Sequence, residues 1–194
     1  MYVLDVEPLD LGPDVRAIGL ELVEADENRE PVRGSEAAAI WSRVLRATAG
    51  NEPWVFDFFS HVDRVREFCD SHQIAYREAN QRLIVIPAPE AASLDILLGR
   101  FQRETFGARA GSQAVGSPGN GSPGNGGDPA LEGELARRGV DAYHKAFPNY
   151  FFCAVCAFED GSLVLLSEKL WASEVIRRVR PALEGQGVEV QLPS

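Results

Sequence analysis

Asn149-Tyr-Phe-Phe-Cys-Ala-Val-Cys-Ala-Phe158, closed by Glu159-Asp160-Gly161-Ser162 and answered by Leu163-Val-Leu-Leu166, is the most apolar stretch of the chain. Asp-Gly between two apolar runs specifies a β-hairpin, because a type I′ turn needs φ > 0 at both central positions and these residues tolerate it. Tyr150, Phe152, Ala154, Cys156 and Phe158 alternate with Phe151, Cys153, Val155 and Ala157, so both faces of the first strand are apolar. Such a strand needs cover on both sides, which makes it a central strand and makes the flanking segments its covers.

Working outward, Tyr2–Val6 and Val15–Val23 read as strands separated by Gly12-Pro13, the second with Ile18, Leu20 and Leu22 on one face. Ser35 stands at an N-cap position before an amphipathic helix carrying Ala37, Ile40, Trp41, Val44 and Leu45, which Gly50 ends. Pro53–Phe59 is a buried-type strand, and Ser60-His-Val-Asp63 has the form of a capping signal for a helix to about His72. Ile74–Glu78 and Arg82–Ile86 form a second hairpin, and Pro87 and Pro89 open a helix from about Glu90 to Thr105. After Ala130–Ala146, a helix closed by Pro148, and the central hairpin, Trp171–Arg180 is helical with Val175, Ile176 and Val179 inward, and Val188–Leu192 is a strand. The expected fold is α+β, a mostly antiparallel sheet built around two β-hairpins with helices packed on it.

Residues 107–127 are of a different composition. Gly116-Ser-Pro-Gly-Asn120 repeats directly as Gly121-Ser-Pro-Gly-Asn125 with almost no apolar content, the mark of a flexible tether with a reach of roughly 25 Å. The chain then divides into an N-terminal α+β part over 1–106, the tether over 107–127, and a helix-hairpin-helix-strand part over 128–194, docked on the first. Residues 61–105 and 130–186 share the order helix, hairpin, helix, for which coincidence is preferred to duplication.

With 194 residues, 45% hydrophobic and 25% charged, the chain has ordinary globular composition and needs no covalent staples. Three cysteines, an odd number, imply free thiols in a reducing compartment. The N-terminus lacks a signal-peptide pattern and no apolar run is long enough for a membrane span, so the expected location is cytoplasmic, with no membrane partner. Net charge is −10, and residues 1–30 hold nine acids against Arg16 and Arg29, which leaves −7 there. That surplus argues against nucleic acid and favours a basic protein as partner, with Glu24, Asp26, Glu27 and Glu30 as the contact residues.

Cys153-Ala-Val-Cys156 has the spacing of redox and zinc motifs, but it falls inside a strand instead of at a helix N-terminus and lacks a second ligand pair, so it reads as core. Cys69, on a short helix, is expected to be partly exposed. Asp57 interrupts an apolar strand; it needs a partner if buried, or an edge position with one wet face. His61, four residues on, sits where a strand hands over to a helix, and a strand-end carboxylate beside a histidine suits acid–base work. The competing reading of His61 is a first-turn residue beside the caps Ser60 and Asp63. His144 with either strand cysteine is supported by residue type alone. The chain contains no phosphate-binding loop, dinucleotide fingerprint, zinc-protease motif, nucleophile elbow or EF-hand loop, so no cofactor or metal is expected. The leading function is a non-enzymatic intracellular binding protein, of adaptor, inhibitor or immunity-like type; the alternative is a small-molecule enzyme or sensor using Asp57 and His61.

Overall fold

Alternating apolar segments between turn signals form strands, and nine of them join one sheet. The computed structural model describes residues 1–10, 16–58, 61–80, 83–87, 90–101, 106–111, 152–157, 161–167 and 170–192. Its strands are β1 (Tyr2–Asp10), β2 (Arg16–Glu24), β3 (Trp54–Phe58), β4 (Arg77–Asn80), β5 (Leu83–Pro87), β6 (Phe106–Ala110), β7 (Phe152–Ala157), β8 (Ser162–Leu166) and β9 (Val188–Gln191). The helices are α1 (Gly34–Ala49), α2 (Val62–Ser71), α3 (Ala91–Arg100) and α4 (Ala172–Ala182).

Across the sheet the order is β4-β5-β3-β6-β7-β8-β2-β1-β9. Every pairing is antiparallel except β1 with β9, which is parallel. The fold is α+β with a mostly antiparallel sheet. Both expected hairpins are present, and β7, the first strand of the central one, stands fifth of the nine. β1 and β2 also pair antiparallel, from Tyr2↔Glu24 to Asp10↔Arg16, where the sequence reading gave two strands separated by Gly12-Pro13, the first ending at Val6. Gly161, at the start of β8, shows why the turn chemistry matters: its φ is +67°, and a Cβ there would stand 2.9 Å from the Leu22 carbonyl oxygen and from Pro31. Its own carbonyl accepts a 2.8 Å bond from the Leu22 N–H, which clips the hairpin to β2.

The segment β3-α2-β4-β5-α3-β6 follows the β-α-β-β-α-β order of the split βαβ motif, with β3 central and β6 and β5 on either side of it. Phe58 of β3 meets Phe101 after α3 at a ring distance of 5.7 Å, and Phe101 meets Phe68 of α2 at 5.3 Å, both edge-on. These three rings lock the two helices to the sheet.

Strand register divides the sheet into two faces. Leu4, Leu20, Phe56, Ile84, Ala108 and Leu165 belong to one face, and they share a single core with the buried residues of the four described helices. Helix α1 is the centre of that layer, with Trp41, Val44 and Leu45 buried and with α3 and α4 against it. The second face differs along its width. Near β3 and β6 it is closed, with Val55, Asp57, Val85 and Arg109 all at 1% exposure or less, while Glu7, Glu21 and Glu189 at the β2-β1-β9 end are exposed.

Several local expectations are corrected. Helix α1 begins at Gly34, so Ser35 lies within its first turn and Arg33 holds the N-cap position without a side-chain cap bond. Helix α2 has His61 as N-cap, in the left-handed region at φ 48°, again without a side-chain cap bond. Asp63 instead accepts a 2.5 Å bond from Arg66, which also reaches Glu78 of β4. Residues 107–110, given to the tether, are strand: Phe106-Gly-Ala-Arg-Ala110 has too few large apolar residues to announce itself, and its pairing with β3 and β7 comes from far along the chain. Cys69 is fully buried, and burial, helped by the neighbouring Asp70 carboxylate, pushes its thiol up to about 11. The repeated Gly-Ser-Pro-Gly-Asn segment, the helix expected over 130–146 and His144 lie outside the described residues.

Candidate functional site

Asp57 is an interior residue of an interior strand, paired with Val85 on one side and Gly107 on the other. Arg109 lies two residues along β6 from Gly107, diagonal to Asp57 on the same face, and the absent side chain at Gly107 leaves it a path. Its Nε donates to Asp57 Oδ2 at 2.5 Å and its Nη2 to Oδ1 at 2.8 Å, with both side chains fully buried. Two parallel charge-assisted bonds are the arrangement that lets a carboxylate stay ionised away from water. Of the two alternatives for Asp57, a partner or a wet edge, the partner is found. The sequence offered no local signal for it, since Arg109 is 52 residues away.

His61 is exposed at the start of α2. Asp57 is enclosed with both carboxylate oxygens accepting from Arg109, so the strand-end pair is divided between interior and surface. The C-x-x-C motif is regular strand backbone, as expected: Cys153 is registered with Arg109 and Leu166, Cys156 with Phe106 and Leu163. Among the described residues no cluster of three or more His, Cys, Asp or Glu is placed to hold a metal ion, and no helix is long and apolar enough to cross a membrane.

The acidic residues, by contrast, are gathered. Glu24, the last residue of β2, and Asp26, Glu27 and Glu30 on the turn that follows are all exposed. That turn is shaped from within: Asp26 Oδ1 accepts from the Asn28 and Arg29 N–H groups, both at 3.0 Å, and the Glu24 N–H bonds to the Glu30 carbonyl at 2.9 Å. The Ala25 N–H bonds to the Met1 carbonyl at 3.0 Å, which holds the turn against the start of β1. Arg29 then reaches over the sheet to an ion pair with Asp5, whose other oxygen accepts from Gln191 Nε2.

Asp5 brings the turn next to a set of acids that sequence order conceals. Antiparallel register sets Asp5 directly opposite Glu21, and parallel register sets it beside Gln191 with Glu189 two residues back, opposite Val3. Glu7 follows two residues along β1, so Asp5, Glu7, Glu21 and Glu189 occupy one face of three adjacent strands. Like charges directly across a ladder repel, so Glu21 opposite Asp5 costs the sheet stability. The sequence reading identified the turn acids but missed Glu7, Glu21 and Glu189; period-two spacing on β1 could have suggested the first, while the pairing of β1 with β9 is beyond local pattern.

On the helix face, Glu174 of α4 accepts from Arg177 and Arg178, which hold its carboxyl down at about 2. Arg178 Nη1 donates to the Thr48 carbonyl of α1 at 2.9 Å, so this cluster joins the two helices. Beside it an open depression of about 410 Å³ is lined by Ala47, Gly50, Asn51, Glu52, Arg177 and Arg178. A second, about 620 Å³, runs along β9 between Arg180, Pro181, Glu184 and Gly185 on one side and Val188, Glu189 and Val190 on the other. Compared with protein-family models, curated proteins and solved structures, the chain finds no match in any of the three.

Proposed function

We propose that this protein is a non-enzymatic intracellular binding protein, of adaptor, inhibitor or immunity-like type, whose acidic surface engages a basic partner protein. The observation that carries the reading is the continuity of the exposed acids: the turn bearing Glu24, Asp26, Glu27 and Glu30 is pinned by Arg29 and Asp5 to the sheet face bearing Glu7, Glu21 and Glu189. A surface of one sign steers an oppositely charged partner and raises its association rate, while it repels the phosphates of nucleic acid. The intracellular part rests on the odd cysteine count and the buried Cys69 thiol, which has no need of an oxidising compartment.

The test replaces Glu24, Glu27 and Glu30 with Gln and Asp26 with Asn, which keeps the Oδ1 acceptor that shapes the turn. Basic proteins recovered from a cell extract by the parent at low salt should be lost by this variant and by the parent at high salt, with both chains equally folded. Equal recovery by the variant removes the reading.

A further inference from the structure

At the acidic end of the sheet β9 is the last strand, and among the described residues no strand pairs with its outer edge. The Tyr2 N–H donates to the Gly187 carbonyl at 2.8 Å, and the parallel register sets Tyr2 beside Val188. Gly187, Glu189 and Gln191 therefore turn their backbone groups toward β1, and Val188 and Val190 turn theirs outward. The Val190 carbonyl accepts from Arg180 Nη2 at 3.0 Å. Among the described residues no bond reaches the Val188 N–H, the Val188 carbonyl or the Val190 N–H. Open strand edges recruit further strands, and proteins that avoid this cover or charge them. Here Arg180 covers the Val190 carbonyl alone, and the rest of the edge faces the depression of about 620 Å³ that α4's end and the following turn leave beside it.

Resting on the reading of the acidic surface, we infer that β9 is the docking edge for an extended basic segment of the partner, which adds to the sheet as a tenth strand. Charge decides the occupant. Side chains of an added strand alternate between faces: on the acidic face they come beside Glu189 and Gln191, with Asp5 one strand further in, and on the other they enter the depression against Pro181, Val188 and Val190. A segment with Lys or Arg at alternate positions and apolar residues between them satisfies both. A second copy of this chain does not, since pairing β9 with itself brings Glu189 toward another Glu189 on a chain of net charge −10.

The probe is the peptide Lys-Val-Lys-Val-Lys-Val-Lys, with a control in which the central Val is Pro, equal in charge but unable to complete the ladder. The full chain should bind the first at least tenfold more tightly than the control at low salt. Amide hydrogen exchange at Val188 and Val190 should slow on binding, and Glu189→Lys should weaken binding about tenfold. Equal affinity for both peptides, or binding without protection at Val188 and Val190, overturns the edge site and leaves the acidic surface intact. Absence of peptide binding, while neutralising the turn acids still abolishes capture of basic proteins, overturns the edge site alone. Protection at Val188 and Val190 that rises with protein concentration in the absence of peptide overturns the basic segment in favour of a second copy.

Discussion

Asp57 and Asp5 lie on the same face of the same sheet, and they are treated oppositely. At the β3–β6 ladder the interior carboxylate is met by one guanidinium in a two-bond fork, and both side chains are sealed. At the β2-β1-β9 end Asp5 is opposed by Glu21 and joined by Glu7 and Glu189, and of the turn's residues it is Arg29 that comes to meet them. Burial makes charge matching compulsory, because an unpaired ion in the interior costs several kcal/mol; water at the surface removes that compulsion. Surplus charge is found only where folding does not forbid it, which is why it is informative about partners at one end of the face and not at the other.

The comparison is broken most forcefully at Arg109. Replacing it with Met strands the Asp57 carboxylate in the interior and should cost about 3–5 kcal/mol in urea unfolding. Adding Asp57→Val should return most of the loss, because the charge leaves with its partner. A single variant as stable as the parent would mean that Asp57 reaches water, and the distinction between the two ends would fail.

Cys69 tests a third way of holding a titratable group inside, which is to keep it neutral. With its pKa raised from 9.0 to about 11, the thiolate fraction at pH 8 falls about a hundredfold, and burial adds steric protection. Native labelling by a thiol reagent should be slower than in the unfolded chain by at least that factor. Labelling at the unfolded rate would place Cys69 at the surface.

Glu174 is a surface acid that is matched. Its folded pKa, about 2, lies below the ordinary 4.5, so the stability it contributes is fully present above about pH 4.5 and is lost as pH falls toward 2. Side-chain NMR should find its titration midpoint near 2 and find it in the ordinary carboxylate range after Arg177→Gln with Arg178→Gln. An ordinary midpoint in the parent would show the cluster to be open in solution.

The smallest effect is expected at Glu21, and with the opposite sign. Glu21→Gln removes a like charge across the ladder from Asp5 and should leave stability unchanged or raise it by about 0.2–1 kcal/mol. A clear loss would mean that Glu21 serves the fold, and the case for a surface set aside for binding would weaken.

What the sequence by itself determined is what short-range chemistry controls. Gly161 set a positive-φ position before β8, alternation set the strands of that hairpin, and apolar spacing at 3.6 residues set both ends of α1 and α4 within a residue or two but only the start of α3, which was expected to reach Thr105 and ends at Arg100, because each depends on neighbours a few positions away. The turn acids were legible for the same reason, lying within seven residues of one another. Tertiary structure alone decided the rest. The five residues of β6 become a strand only because β3 and β7 bracket them, Asp57 becomes a buried ion pair only when residue 109 arrives, and β9 becomes an edge only because β1 occupies its other side. Likewise Asp5, Glu7, Glu21 and Glu189 form one surface only after residues more than 180 positions apart share a ladder. Such contacts depend on which segments meet across closed loops of chain, and no window of local sequence contains both partners.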